Sequence, residues 1–426
     1  MGWEFETDTR FQEQLDWARA FVREEVVPLE TLPLDWPTLQ RLMAPLKAQV
    51  KERGLWAAFL EEELGGGGWG QVPMALLSEV LGEALWAPSV FGSRAPDSGN
   101  AELLARFASP ELRDRYFDAT IEGDIRSCFS MTEPGAGADP TGIATTAVLD
   151  GDEWVIDGHK WFSSNATDAA YLLVMCVTDP DAPPSRRFSI ILVPRDAPGL
   201  DVVRDIPALD DVNRHLDAVQ PDTHAEVLYR GVRVPRENVL GEPGDGWAQA
   251  QARLGPGRIH HAMRWLGQTR RAFDMLCERA VSREVFGTRL ADKQIVQDWI
   301  AESMAEMQAA RLMTLQAAWI IDTKGVEHAR TEISLIKFWG ARVLHNVIDR
   351  AIQVHGSLGY SGDMPLEAMY RLARAARIYD GPDEVHKTVV ARQVLKGYTA
   401  VAVPTEHVPT RRAAAEARWA SELAAS

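Results

Sequence analysis

The sequence predicts three consecutive units: an N-terminal all-α domain, a middle β-barrel or β-sandwich domain, and a C-terminal helical bundle. Apolar residues recur at helical spacing up to about residue 122, short β-rich runs follow, and long helical patterns return after residue 243. A chain of 426 residues, of which 46% are hydrophobic, can bury a core large enough for three such units. The expected domains are residues 1–125, 126–236 and 237–400, with a tail at 401–426.

The first domain is predicted from amphipathic helices and the turns between them. Pro28 is expected to end the first helical segment, whose apolar face is formed by Phe11, Leu15, Ala18 and Val22. Gly65, Gly67 and Gly70 formally satisfy the Gly-x-Gly-x-x-Gly pattern of dinucleotide-binding turns, but the residues before them end a helix and not a strand. We therefore interpret these glycines as a turn between helices.

The middle domain is predicted from short apolar runs separated by turn residues. The runs are WVIDG, YLLVMCV, FSIILVP and AEVLYRGVRVP, and the Asp150-Gly151 pair indicates a hairpin. After Pro243 the helical spacing returns, and Pro256-Gly257 is a pattern expected just before a helix start. The bundle is predicted from apolar residues at helical spacing, which include Ile259, Ala262, Leu266, Phe273, Val296, Ile300, Met307, Ile336, Val343 and Val347.

The composition limits the expected partners and compartment. A formal charge of −16 argues against binding to nucleic acid or an anionic membrane surface, because either partner requires a cationic face. The chain does not open with a signal-like segment and contains no apolar run of about 18 residues, so we expect a cytoplasmic protein. Three separated cysteines and scattered histidines suggest neither a disulfide framework nor a metal site.

Three motifs indicate the chemistry. Residues 128–140 read CFSMTEPGAGADP, residues 283–287 read REVFG, and residues 378–386 read IYDGPDEVH. Alone, the first could be a loop that joins two domains, and an isolated arginine such as that of the second usually lies on a solvated helix face. In this order and spacing the three resemble the acyl-CoA dehydrogenase family, in the branch containing family members ten and eleven. The resemblance covers roughly residues 13–396 and implies the family fold, with a C-terminal four-helix bundle.

The resemblance implies FAD as the cofactor. Phe129, Met131 and Thr132 would contact the flavin, and Phe162 and Ser164 would lie beside its ring. Their neighbours Trp161 and Ser163 could shift the second match by one residue, and on its own this strand could simply carry two aromatic core residues. The remaining cofactor positions, which include contacts to the FAD of a neighbouring subunit, are Arg283, Phe286, Gln294, Gln353, Gly356, Pro382 and Glu384.

The same resemblance implies the substrate site and the base. Asp380 would remove the α-proton of an acyl thioester, since Gly257 occupies the position where other family members carry a glutamate. Burial beside the acyl chain is expected to raise the pKa of Asp380. Asp is shorter than the usual Glu by one bond, about 1.5 Å. The substrate-binding positions are Gly137, Ala138, where serine is usual, Arg258 and Gly381. Arg258 lies where many family members contact the CoA moiety.

The implied function is FAD-dependent dehydrogenation of an acyl-CoA to the trans-2-enoyl-CoA in acyl-CoA catabolism, with an electron-transfer flavoprotein as electron acceptor. The alternatives are a nitroalkane-oxidase-like or oxygen-using flavoenzyme of the same fold, and a catalytically silent FAD-binding partner subunit. FAD sites shared between subunits imply a homodimer or homotetramer. The segment 207–223 is longer than the branch's usual one, which suggests an unusual acyl group.

Overall fold

Helices form the N-terminal domain of the computed structural model, which describes residues 7–211, 223–400 and 411–425. The helices are α1 (Thr9–Phe21), α2 (Trp36–Glu52), α3 (Gln71–Leu81), α4 (Ala87–Val90), α5 (Asp97–Phe107) and α6 (Pro110–Glu122). A π-helical turn and a 3-10 turn continue α1 to Thr31, so Pro28 lies just beyond the α-helix. The glycine segment that begins at Gly65 (φ +82°) lies between α2 and α3, as predicted.

A seven-stranded sheet forms the middle domain. Its strands are β1 (Arg126–Ser130), β2 (Thr146–Asp150), β3 (Glu153–Ser164), β4 (Ala169–Val177), β5 (Phe188–Pro194), β6 (Leu200–Asp205) and β7 (His224–Pro235). β2 and β3 form the predicted hairpin around Asp150-Gly151. β1 pairs with both β3 and β4, and β2 pairs with the same two strands, so four strands close a barrel-like ring.

Long helices form the C-terminal domain. Its elements are α7 (Gly246–Ser282), β8 (Glu284–Val285), β9 (Thr288–Arg289), α8 (Gln294–Lys324), α9 (Arg330–His355), α10 (Ser357–Tyr360), α11 (Leu366–Ala375) and α12 (Asp383–Leu395). The predicted helix start at Pro256-Gly257 is wrong, because α7 already begins at Gly246 and contains both residues. Packing of α7 against α3 and α9 outweighs the local preference of proline for a first turn.

Two large apolar cores hold the domains together. One extends from the N-terminal helices to Tyr171, Leu173 and Phe188 of the sheet, and the other fills the C-terminal bundle and includes Ala75 of α3. α7 packs on both α3 and α5, so the bundle lies directly against the N-terminal domain. None of the helices in the described ranges is long and apolar enough to cross a membrane.

Two sequence segments of interest lie partly outside the described residues. Of the long segment 207–223, residues 212–222 are not described. Of the predicted tail, residues 401–410 are not described, whereas α13 (Arg412–Arg418) and α14 (Ala420–Ala424) are short and exposed.

Candidate functional site

The turn between α11 and α12 carries Asp380. This residue has a left-handed backbone conformation, φ +54°, and Gly381 follows at φ +95°. Aspartate adopts this conformation more readily than most non-glycine residues. A Cβ atom on residue 381 would lie 2.8 Å from Nε2 of His386, so the turn requires glycine there. The Asp380 side chain approaches His261 of α7, with Oδ2 3.6 Å from Nε2.

Two side chains hold the Asp380 carbonyl oxygen. Arg258, on α7, donates to it from Nε at 3.2 Å and from Nη2 at 3.0 Å. Nε2 of His386, on α12, lies 3.1 Å from the same oxygen and donates to it as the Nε2–H tautomer. Because the donors come from different helices, the tertiary structure fixes the backbone that carries the carboxylate.

A buried lysine supports the same turn. Lys337, on α9, has no exposed surface, and its Nζ donates to the carbonyl groups of Ala376 at 2.6 Å and Gly381 at 3.3 Å. It also lies 5.4 Å from the ring of Trp265 and 5.3 Å from that of Tyr379, within cation–π range. Burial lowers the pKa of Lys337 to about 8, so the ammonium is still mainly charged at neutral pH.

Cationic groups surround the Asp380 carboxylate, whose side chain is 22% exposed. Burial alone would raise its pKa, but the neighbouring groups outweigh burial and hold the pKa below the ordinary value; in order of effect they are His261, Arg258, Arg253 and Lys337. Burial and Arg264 lower the pKa of His261 to about 3. His261 is therefore neutral at pH 7 and acts on Asp380 only in acid, where its imidazole is protonated. At pH 7 the charges that favour ionised Asp380 are those of the two arginines and the lysine. The predicted rise in the pKa of Asp380 is wrong for this structure.

The first strand of the sheet reaches the Asp380 site through Arg253. The guanidinium carbon of Arg253, on α7, lies 4.3 Å from the ring centroid of Phe129 on β1. β1 is tied in turn to α5, because Asp97 accepts hydrogen bonds from the backbone N–H and the hydroxyl of Ser127 at 2.7 and 2.6 Å. Arg253 thus lies against Phe129 and within electrostatic range of Asp380, so one arginine links two of the predicted site residues.

A buried ion pair shapes the loop after β1. Lys160 has no exposed surface, and its Nζ donates to the Met131 carbonyl at 2.8 Å and to Oε1 of Glu133 at 2.9 Å. The Trp161 N–H donates to the Thr132 carbonyl at 2.8 Å. β3 therefore fixes the loop that carries Met131 and Thr132, two predicted flavin contacts.

A β-bulge in β3 separates the two serines that could match the family pattern. The register with β7 shifts between Lys160 and Ser163, and Phe162 has φ +54° and is 45% exposed. Ser163 is fully buried and bonds Ser130 at 2.8 Å. Ser164 is only partly buried, so the accessible hydroxyl is the predicted one.

The Ser164 hydroxyl belongs to a chain of hydrogen bonds. Its Oγ lies 2.8 Å from Nδ1 of His224, and Nε2 of the same imidazole lies 2.8 Å from Oδ2 of Asp210. Both partners are largely buried, with side-chain exposures of 19% and 16%. The orientation of Ser164 therefore depends, through His224, on Asp210, which lies within the long segment 207–223.

Most of the other predicted positions lie on the surface of this chain. Phe286 is 100% exposed at the tip of the β8–β9 hairpin, with φ +51°. The exposed predicted positions, on the sheet loop and on the bundle, are Gly137, Ala138, Arg283, Gln294, Gln353, Gly356 and Glu384; Pro382 is partly buried. Pro382 and Glu384 lie in the turn and the first turn of α12 that follow Asp380, whereas the others lie on other elements of this chain.

Thiol and metal chemistry are not indicated by the described residues. Cys128 and Cys176 are fully buried, and burial raises the pKa of both thiols. No group of three or more His, Cys, Asp or Glu residues within the described ranges is arranged to hold a metal ion.

Sequence reasoning missed the residues that surround the base. His261 lies three residues after Arg258 and could have been placed on the same helix face from spacing alone. Lys337 lies within the apolar stripe of α9, beside Ile333 and Ile336, and a lone lysine in such a stripe predicts a buried charge. The sequence around Arg253 contained no comparable signal.

Family models match all three parts of the chain. The model described as "Acyl-CoA dehydrogenase, N-terminal domain" matches residues 9–124, the "middle domain" model matches residues 128–213, and the "C-terminal domain" model matches residues 244–395. Together these matches account for most of the described residues.

Curated relatives show the same similarity. The Mycobacterium tuberculosis protein named "Probable acyl-CoA dehydrogenase FadE2" is 44% identical over 84% of this chain and 86% of its own length. Acyl-CoA dehydrogenase family member 10 of Mus musculus is 39% identical over 90% of this chain, and family member 11 of Rattus norvegicus is 37% identical over 92%. The matches span only 37% and 51% of those two longer proteins.

Solved structures share the fold. An acyl-CoA dehydrogenase from Geobacillus kaustophilus is 26% identical, with a TM-score of 0.76 over 92% of this chain and 99% of its own. The FAD complex of PigA, at 21% identity, has a TM-score of 0.78 over 92% of this chain and 99% of its own, which indicates a shared fold alone.

Proposed function

Because the chain belongs to the acyl-CoA dehydrogenase family, we propose that it dehydrogenates an acyl-CoA to the trans-2-enoyl-CoA, with FAD as cofactor and Asp380 as base. The observation that carries the proposal is the geometry of Asp380. Its carboxylate is kept ionised by nearby cations, and its carbonyl oxygen accepts hydrogen bonds from Arg258 and His386. Lys337 donates to the next carbonyl of the turn, that of Gly381. An ionised, fixed carboxylate is what proton abstraction requires.

The described residues fit a planar, hydrogen-bonding cofactor. Phe129 and Phe162 offer aromatic surfaces, Thr132 and Ser164 offer partly buried hydroxyl groups, and the wholly exposed Phe286 is available to a neighbouring copy. When bound, FAD accepts the β-hydrogen of the substrate as a hydride. The loop that carries Met131 and Thr132 is held for this purpose by Lys160.

Asp380 contributes a second group besides its carboxylate. Within the described ranges its backbone N–H has no acceptor, whereas its carbonyl has two donors. A free N–H beside the base can donate to the thioester carbonyl and stabilise the negative charge that develops when the α-proton leaves. The Asp380 carboxylate then holds that proton on one of its Oδ atoms.

The arrangement of exposed residues supports an oligomer. Phe286, Tyr360 and Tyr398 are 100%, 83% and 75% exposed, and exposed aromatic side chains of this size commonly mark contact surfaces. Arg283 and Gln294 lie near Phe286 in sequence and are exposed as well. In a homodimer or homotetramer these residues would contact the FAD of a neighbouring copy. The proposed electron acceptor is an electron-transfer flavoprotein.

Anaerobic addition of acyl-CoAs tests the proposal. The purified yellow holoenzyme and its Asp380→Asn variant receive a panel of thioesters while the flavin absorbance is followed. Asparagine retains the size of the side chain and tolerates the left-handed conformation, so the variant isolates the loss of the base. We expect bleaching in the wild type and at least about a 1000-fold slower reaction in the variant. Equal bleaching in both would exclude Asp380 as the base, and absence of bleaching with every thioester would contradict the dehydrogenase function.

A further inference from the structure

Arg253 is a cation beside the proposed base that lacks an ionic partner. Within the described parts of the chain it makes no hydrogen bond and no ion pair, and its Nε is buried without an acceptor. The other two cations that act on Asp380 are occupied, because Arg258 and Lys337 donate to backbone carbonyl groups. Asp380 is its strongest charged neighbour but forms no hydrogen bond or ion pair with it. A buried charge normally has a partner, so the guanidinium points to an anion at bonding distance that the described residues do not supply.

The structure makes room for this guanidinium. It rests on the ring of Phe129 and also lies close to Gly99 of α5. A Cβ atom on residue 99 would lie 2.9 Å from Nε of Arg253 and 3.2 Å from Cζ, so any larger residue would displace the group. Gly99 and Phe129 thus hold the guanidinium next to the strand that carries the predicted flavin contacts.

The nearby acidic side chains do not fully balance Arg253. Asp97 is engaged with Ser127, and burial raises the pKa of its carboxyl group. Glu102, five residues further along α5, is partly buried, and burial raises its pKa to about 7. Near neutral pH a substantial fraction of Glu102 is therefore protonated, which leaves the ionised Asp380 as the main counter-charge. Asp380 already faces Arg258 and Lys337 as well as Arg253, so it does not balance Arg253 alone.

We propose that Arg253 binds a carboxylate carried by the acyl chain, and that the substrate is the CoA thioester of a short dicarboxylic acid. This inference rests on the proposed function and specifies its substrate class. A planar guanidinium recognises a carboxylate through two parallel hydrogen bonds, which gives both affinity and orientation. Because Arg253 lies within electrostatic range of the Asp380 carboxylate, a carboxylate bound to it would lie near the proposed base, which favours a short acyl chain.

Binding to the Asp380→Asn holoenzyme tests the inference without turnover. Calorimetric titration compares glutaryl-CoA with valeryl-CoA, which has the same number of acyl carbons and a methyl group in place of the carboxylate. Succinyl-CoA and adipyl-CoA, with butyryl-CoA and hexanoyl-CoA as their matched partners, cover shorter and longer chains, and free CoA measures the contribution of the phosphates. We expect at least one dicarboxylic thioester to bind at least about 30-fold tighter than its matched partner.

Variants of Arg253 assign that preference. Arg253→Met is expected to reduce the affinity ratio between the dicarboxylic and matched thioesters to near one. Arg253→Lys is expected to retain part of this ratio, because lysine keeps the positive charge but lacks the planar guanidinium that forms two parallel hydrogen bonds. Gly99→Ala leaves the arginine in the sequence but displaces its guanidinium, so it should lower the same ratio. The preference of the Asp380→Asn holoenzyme is measured with residues 99 and 253 unchanged, so it stands even where one of these further variants does not fold.

Three results would overturn the inference. The first is equal binding of dicarboxylic and monocarboxylic thioesters by the Asp380→Asn holoenzyme in which Arg253 and Gly99 are unchanged. The second is a ratio that Arg253→Met and Arg253→Lys leave unchanged, and the third is an equal loss of affinity for free CoA, which would assign Arg253 to a CoA phosphate. Flavin bleaching separates the two proposals: bleaching without carboxylate preference refutes only the inference, whereas an Arg253-dependent preference without bleaching refutes only the dehydrogenase function.

Discussion

Replacing Arg258 with methionine separates two roles for this residue. The family resemblance predicts a contact with CoA, whereas in the structure the guanidinium donates two hydrogen bonds to the Asp380 carbonyl. Methionine keeps an apolar stem but cannot donate a hydrogen bond. If Arg258 positions the base, the limiting rate of flavin bleaching should fall; if it binds CoA, the half-saturating substrate concentration should rise.

The geometry gives the expected size of the effect. A hydrogen bond from a charged donor contributes about 1.5–3 kcal/mol, so two such bonds would contribute about 3–6 kcal/mol if the carbonyl lost every donor. His386 remains 3.1 Å from the same oxygen, which leaves the carbonyl partnered and lowers the expected loss to about 2 kcal/mol. At 1.36 kcal/mol per factor of ten, the limiting rate falls about 30-fold.

The charge of Arg258 adds a pH signature. It helps to hold the pKa of Asp380 below its ordinary value, so removal of the charge raises that pKa. The base must be ionised to accept the α-proton. The acid limb of the bleaching rate should therefore move to higher pH in Arg258→Met than in the wild type, whereas Arg258→Lys should move it less.

Anaerobic stopped-flow measurements over substrate concentration and pH provide the assay. Arg270→Met, on the same helix, controls for the loss of an arginine from α7. An unchanged limiting rate with a half-saturating concentration at least about tenfold higher would refute the positioning role and restore the CoA contact. An unmoved acid limb would refute the electrostatic part of the argument.

Three further predictions concern the loop after β1, the neighbouring subunit and a buried acid. Lys160→Met leaves Glu133 buried without its cation and should lower the free energy of unfolding by about 3–5 kcal/mol in urea titrations, with part recovered by adding Glu133→Gln; an unchanged midpoint would show that the pair contributes nothing. Phe286→Ala removes a wholly exposed side chain, so the unfolding midpoint of the apoprotein should stay the same while FAD retention on gel filtration falls; unaltered retention would contradict the intersubunit contact. Burial raises the pKa of Glu102 from 4.5 to about 7, so its contribution to stability is present below pH 4.5 and is lost as the pH rises to 7. After allowance for partial exposure we expect Glu102→Gln to be about 2 kcal/mol more stable than the wild type at pH 8, with little difference at pH 4; equal stabilities at pH 8 would contradict the raised pKa.

Much of the fold could be predicted because helix and strand patterns are local. The hairpin at Asp150-Gly151 and the glycine turn at Gly65 depend on residues adjacent in sequence. The start of α7 could not be predicted in the same way, since Pro256-Gly257 resembles a first turn and only packing against α3 and α9 makes the helix continuous there.

Part of the candidate site could also be predicted, because its motifs are local in sequence. The motifs identified Asp380 and the strand carrying Phe129, and spacing favoured Ser164, which the bulge in β3 leaves accessible while Ser163 is buried. The sign of the pKa shift of Asp380 was wrong, because the expectation included burial but not the cations that fold against the carboxylate.

The sequence by itself determined the family, the order of the domains and the residue proposed as base, since each depends on motifs and periodicity within short stretches. Only the tertiary structure decided the environment of that base. Arg258 lies 122 residues from Asp380 in sequence, and Lys337 lies 44 residues from Gly381. Contacts across such separations follow from how α7 and α9 pack, which no local pattern encodes. The unpartnered guanidinium of Arg253, and with it the proposed substrate class, therefore became visible only in the fold.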